Sequence, residues 1–297
     1  LTNTGTLNIG ATSGITTLTA TANPNTVNYT GAAQTVNATT YHHLTLSGSG
    51  AKTLTNVGTI NGDFTMSGTC TATTAIATTI GGALTVGTGT TYTVAGFNLT
   101  VTGATSVTGT LTHSSATGTK TFTGNVTINN GGTWNNTSVN EAVTLAGSLQ
   151  DDGTFNAGTG VYTFSGASKT IGGANSVSIP NLTVTGTLTN NGTLTVATAL
   201  AGAGGLTNTA TLNIGNTSAI SALTASANPN TVNYTGGFQT LFATTYHHLG
   251  LSGSNTKDFS NGVGTINGDL TMSGTCNATT ATATTIGGNL TVGSGTT

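Results

Sequence analysis

Residues 39–48 read TTYHHLTLSG, and residues 244–253 read TTYHHLGLSG. Within the first stretch, HLTLSG (43–48) alternates apolar and polar positions and then runs into small residues. Such alternation is the period-two signature of a strand with one face buried, and the Gly-rich end turns the chain. Leu44 and Leu46 therefore point inward, with Thr45 and Ser47 outward. The phrase returns as DFTMSG (63–68), ALTVGT (83–88), NLTVTG (98–103), AVTLAG (142–147), VYTFSG (161–166) and NLTVTG (181–186). On the same reading Phe64, Met66, Leu84, Val86, Leu99, Val101, Leu182 and Val184 are interior. Looser copies such as TLNIGA (6–11) and TVNYTG (26–31) bring the starts to about 16. Their mean spacing is about 19 residues, with gaps from about 12 to about 27, which falls at the short end of repeat periods.

A longer period contains the shorter one. Residues 1–91 align with 206–297 at 70 identities in 91 positions, with one residue inserted near Gly262. The domain organisation is thus residues 1–205 as one complete superrepeat and 206–297 as the start of the next, continuous with the first. Tandem sandwiches would show about seven strands per 100 residues and self-similarity near that length. A solenoid stacks one small unit on the next at a period of about 20 residues. Spacing, Gly corners and a scarcity of aromatics give an all-β, parallel β-solenoid (β-helix) with rungs of about 19 residues and a superrepeat of about 205. At about 4.8 Å per rung the stack would be about 70 Å long, with about 53 Å for each superrepeat. Both termini fall in ordinary repeat text, so the expected stack is uncapped and continues into more of itself.

Composition agrees. Only 3% of the 297 residues are charged, with a net charge of −2, 45 Gly and 76 Thr. Thr, Val and Ile favour strands, and three Pro interrupt few of them. Four Lys and no Arg exclude a basic nucleic-acid surface. No apolar run reaches the roughly 18 residues a spanning helix needs, so no transmembrane segment is expected. A neutral Thr, Asn, Ser and Gly surface suits an extracellular or cell-surface location.

Few residues could carry chemistry. His42 and His43, repeated as His247 and His248, are strand neighbours and should face opposite sides, unsuited to one metal ion. Cys70 and Cys276 are equivalent positions a superrepeat apart, too far for a mutual bridge, and read as buried thiols or as cross-links between chains. A glycan-active β-helix would need converging carboxylates. Glu141, Asp151 and Asp152 are close in sequence, but these acids, like Asp63, Asp258 and Asp269, read as solvated corner residues. The Gly81–Gly82 and Gly172–Gly173 pairs lack the Asp of calcium-binding nonapeptides. No catalytic residue, cofactor or metal is therefore expected. Outward Thr45, Thr65, Thr100, Thr102, Thr183 and Thr185 could form a ladder of hydroxyls such as ice-binding solenoids present, although the uneven gaps argue against a regular array.

The segments TYHHLTLSGSGAKTL (40–54), INGDFTMSG (60–68) and SIPNLTVTGTLTNNGTLTV (178–196) resemble those of bacterial secreted β-strand-repeat surface proteins, the filamentous-haemagglutinin-like adhesins and fibres. That resemblance implies a secreted, surface-associated, non-catalytic solenoid. The expected function is structural: a filament, sheath or stalk extended by end-to-end rung stacking, its main partner another copy of the same repeats. The alternatives are a stalk that displays a tip to cells, surfaces or glycans, then ice binding, then a polysaccharide-active enzyme.

Overall fold

A short strand that buries alternate side chains gains most when both its edges are hydrogen-bonded, and a coil that climbs one strand spacing per turn satisfies both. The computed structural model describes all 297 residues, and every regular element in it is a strand. The strand pairs are parallel, with Phe64 one turn beyond Leu44 and Leu84 one turn beyond Phe64. The fold is a parallel β-solenoid. It comprises two compact units, Leu1–Gly160 and Val161–Thr297.

In the first unit the short strands stack into three ladders, and from the turn that begins at His43 each turn supplies one strand to each of the first and third ladders. The first ladder runs Thr6–Ile9, Thr26–Tyr29, His43–Leu46, Phe64–Met66, Leu84–Val86, Thr105–Val107, Val126–Ile128 and Leu149–Asp151. The second runs Thr59–Ile60, Thr78–Ile80, Leu99–Val101, Lys120–Phe122 and Val143–Leu145. The third runs Gln34–Thr35, Ser49–Leu54, Thr69–Thr74, Thr91–Val94, Thr110–His113, Thr133–Asn135 and Thr154–Asn156.

The second unit repeats the plan. One ladder joins Val177–Ser178, Thr193–Val196, Thr211–Ile214, Thr231–Tyr234, His248–Leu251, Leu270–Met272 and Leu290–Val292. Two others, begun by Val161–Phe164 with Asn181–Val184 and by Lys169–Gly172 with Thr187–Asn190, both pair with the ten-residue strand Ala199–Asn208. Its register shifts between Gly202 and Gly205, where the chain turns from one face to the next. Residue 206, where the repeated text restarts, lies inside this strand, so the textual boundary is no structural boundary.

The ladders explain the uneven phrase spacing. HLTLSG, DFTMSG and ALTVGT supply the first ladder, whereas NLTVTG (98–103) and AVTLAG (142–147) supply the second. The phrase marks strands, and two strands of one turn can carry it. Turn length still varies: one turn leads from Val27 to Leu44, and a longer one leads from Val126 to Leu149. The corners absorb that variation while the hydrogen-bonded strands keep a constant step.

Inward residues stack like on like. Leu44, Phe64 and Leu84 form one column and Leu46, Met66 and Val86 the next, each at most 1% exposed. Leu99 and Val101 are buried on the second ladder, and Leu182 and Val184 stack on Tyr162 and Phe164 in the second unit. Each fully buried Leu, Val or Phe contributes about 1.5–3 kcal/mol over an exposed one. Larger rings fill the interior where columns face each other: Phe64 meets Tyr92 edge-on at 5.3 Å, and Phe122 meets Trp134 at 5.1 Å.

One corner admits only glycine. A Cβ on Gly103, Gly124 or Gly147 would lie 2.4, 2.3 and 2.1 Å from backbone atoms of Gly82, Gly103 and Gly124 respectively. Each of these contacts is with backbone, which cannot rotate away. Gly124→Ala should therefore destabilise the protein by about 2–4 kcal/mol, read as a drop in urea midpoint, whereas Gly5→Ala, in open space, should not.

Candidate functional site

The outward residues come first, because the surface is where an uncharged solenoid meets a partner. Thr45, Thr65 and Thr85 stack on the first ladder, followed by Ser106 and Thr127. Thr100 stacks with Thr79, Thr121 and Thr144 on the second. Thr183 neighbours Thr163 and Ala201 in the second unit, and Thr185 is exposed beyond its strand. The six threonines expected to share one ladder thus belong to separate ones. Thr102, just past its strand, is paired along the stack by its backbone N–H to Ile80 O.

A better array lies on the third ladder, which the sequence reading did not single out. Thr71 and Thr73, Thr91 and Thr93, and Thr110 and Thr112 sit directly beside one another in three successive turns. Thr53 precedes them, and the pairs Thr133/Asn135 and Thr154/Asn156 follow. The signal was present as three Thr-x-Thr triplets that begin at Thr71, Thr91 and Thr110, one to a turn.

The His–Asp corner occurs twice. Asp63 N–H donates to His43 Nδ1 at 2.9 Å and Asp63 Oδ1 accepts from Ala83 N–H at 2.8 Å, so the acid bridges three turns. Asp269 does the same between His248 and Asn289, at 3.0 and 2.7 Å. The His carboxylate contacts are 3.5 and 3.6 Å. Because Nδ1 accepts a hydrogen bond, the neutral ring carries its proton on Nε2. Each corner opens a cleft, about 290 Å³ beside Thr26, Thr45 and Thr65 and about 460 Å³ in the second unit, where Gly250 replaces Thr45. His42 and His43 do not face opposite sides as expected. His42 precedes the strand, and the two rings meet edge-on at 4.3 Å.

The interior holds charges that the sequence reading left outside. Lys52 is 1% exposed and donates to Gly31 O and Ala32 O at 2.6 Å and to Gln34 Oε1 at 2.9 Å. Gln34 in turn donates to Ile9 O and Ala11 O, at 2.8 and 2.9 Å. Three protons meet three acceptors. Burial pushes the Lys52 ammonium below its usual range, with the nearby Cys70 thiol acting the other way. Lys257 and Gln239 repeat the clamp at 2.6, 2.6 and 2.9 Å. Cys70 and Cys276 are buried free thiols, and burial pushes Cys70 up.

The acids divide. Glu141 and Asp151 are 1% and 2% exposed, against the expectation of solvated corners. Burial raises both carboxyls, opposed at Glu141 by the Lys120 ammonium 3.3 Å away. Asp152 stays partly exposed and accepts from Gln150 Nε2 at 2.5 Å. Glu141 therefore turns to a lysine, while Asp151 and Asp152 stand beside each other, the Asp152 charge adding to the rise at Asp151. His113 is fully buried against Trp134, with ring centres 5.1 Å apart, and neither ring nitrogen has a partner. Burial and then the Lys120 charge depress it to about 3.

Compared with known proteins, the chain matches no family model, no curated protein and no solved structure.

Two predictions test this interior. Lys52→Ala removes the ammonium donor shared by Gly31 O, Ala32 O and Gln34 Oε1 and should cost about 3 kcal/mol in urea unfolding, whereas Lys169→Ala, partly exposed, should change little. His113 is neutral in the fold down to about 3 but titrates near 6.5 when unfolded. Between those values the unfolded chain binds a proton that the folded one refuses, so His113 lowers stability as pH falls, by up to about 1.4 kcal/mol per unit. Glu141 and Asp151, raised in the fold, act in the opposite direction. The difference between wild type and His113→Phe isolates the histidine: it should be flat above pH 7 and grow in the variant's favour below pH 6.

Proposed function

We propose that the chain is a structural segment of an extracellular filament, sheath or surface stalk, lengthened by adding turns to its ladders. The observation that carries this reading is the recurrence of one internal construction in both repeats. The Lys–Gln clamp, the His–Asp corner and the Tyr29–Tyr41 hydroxyl pair at 3.1 Å return as Lys257–Gln239, His248–Asp269 and Tyr234–Tyr246 at 2.9 Å. A repeat whose interior and surface recur together adds length without adding a new centre. Its neutral Thr and Asn surface tolerates any salt concentration, because it has few charges to screen.

The partner on this reading is more of the same chain, in covalent or head-to-tail continuation, and a head-to-tail contact of this type does not close on itself. Electron microscopy of native material tests it. Continuous fibres with an axial period of about 50 Å, one superrepeat at the strand spacing, are the expected result. Discrete particles ending in a globular tip would instead make the chain a stalk that displays a binding domain.

The third-ladder threonines favour a second reading, ice binding. Their outward positions repeat about every 4.8 Å up the ladder and about every 6.8 Å along the strand, the regular two-dimensional array an ice-binding face needs. Unequal turn lengths do not spoil the array, because the ladder sets its spacing. Thermal hysteresis that disappears in Thr93→Lys would support this activity, and none at high protein concentration removes it.

A further inference from the structure

The Lys120–Glu141 pair carries more than a buried ion pair needs. Lys120 stands between Leu99 and Val143 in an interior column that also holds Thr78. Its side chain is 0% exposed and that of Glu141 1%, with Nζ 3.3 Å from Oε2. Both reactants are held from behind. Lys120 Nζ also donates to Thr117 O at 2.8 Å. The Glu141 backbone is gripped by Asn136, whose Nδ2 donates to Glu141 O at 2.7 Å while its Oδ1 accepts from Glu141 N–H at 2.8 Å. Glu141 Oε2 has no other polar partner.

Two charges in such a setting lose hydration that their mutual attraction repays only in part. An amine and a carboxyl fixed in contact, away from water, also have the high effective concentration that turns condensation into an intramolecular event. We propose that Lys120 and Glu141 condense into an intramolecular amide that staples two successive turns of the first unit. This inference is independent of the fibre reading.

The chemistry balances within the site. A proton passes from the ammonium to the carboxylate, giving amine and carboxylic acid. The Nζ lone pair adds to Glu141 Cδ, forming the C–N bond and placing the carbonyl electron pair on oxygen. One proton passes from nitrogen to the departing hydroxyl within the tetrahedral adduct. The C–O bond breaks, the carbonyl re-forms and one water leaves. Nothing is oxidised or reduced, and the buried charge pair becomes a neutral amide.

The test is the intact mass of the purified full chain in its folded state. The expected mass is the sequence mass less one water, with fragmentation giving a branched peptide that joins the Lys120 and Glu141 segments. Lys120→Met and Glu141→Leu should each restore the unmodified mass. A succinimide at Asp152–Gly153 loses the same water but leaves a linear peptide that hydroxylamine cleaves, so such a product would overturn the proposal. The full sequence mass in the wild-type chain would overturn it without any variant.

Discussion

The rest of the structure depends on one constraint, the fixed step of a parallel strand ladder. Hydrogen bonds between successive turns hold neighbouring strands about 4.8 Å apart whatever the chain does at the corners. Each residue therefore lies directly over its counterpart a turn earlier, and every column becomes a stack of related side chains. Leucine over phenylalanine over leucine fills the interior, and threonine over threonine covers the outside. The composition follows from this geometry, because a column tolerates few residue types once its neighbours are chosen. Gly corners follow as well: where backbone passes over backbone, no side chain fits.

Polar groups inside such a stack have to be satisfied within a turn or two of themselves. Lys52 reaches back to carbonyls of the preceding turn and to Gln34, which reaches back once more. Asn190 reaches the other way in the second unit, its Nδ2 donating to Asn208 Oδ1 of the following turn at 2.8 Å. The Lys120–Glu141 pair departs from this economy, with Nζ and Oε2 3.3 Å apart but Oε2 otherwise unmatched, and His113 is buried with neither ring nitrogen partnered. Unmatched buried polarity is costly. Asn25, Tyr92 and Thr105 also bury polar atoms without a hydrogen-bond partner, but only the Lys120–Glu141 pair sets two opposite charges against each other.

Strand identity and burial were legible because alternation is a local property. Leu44-Thr45-Leu46 and Phe64-Thr65-Met66 declare their inward and outward positions without reference to anything distant. The distribution of strands over faces was not legible, because NLTVTG on the second ladder and ALTVGT on the first are written in the same words. Only corner length separates them, and corners vary. The buried charges were hidden by an assumption about residue type: a lysine in a Thr-rich chain reads as solvated. Parity says otherwise, since Lys52 shares the phase of Leu54, and Lys120 that of Phe122. Glu141 and His42 lie outside regular alternation, so no local pattern announced their neighbours.

The Lys–Gln clamp has a consequence for how the chain finds its register. With so many near-identical phrases, an apolar column alone scarcely distinguishes a turn stacked on its proper neighbour from one stacked a turn too early. Gln34 lies beside Lys52, and Lys52 in turn lies beside Ala72. A slip by one turn would lay Gln34 against Ala72 and leave the lysine with its acceptors out of reach. The clamp thus serves as an address in a monotonous text, written once in each superrepeat, against which the turns on either side can be counted.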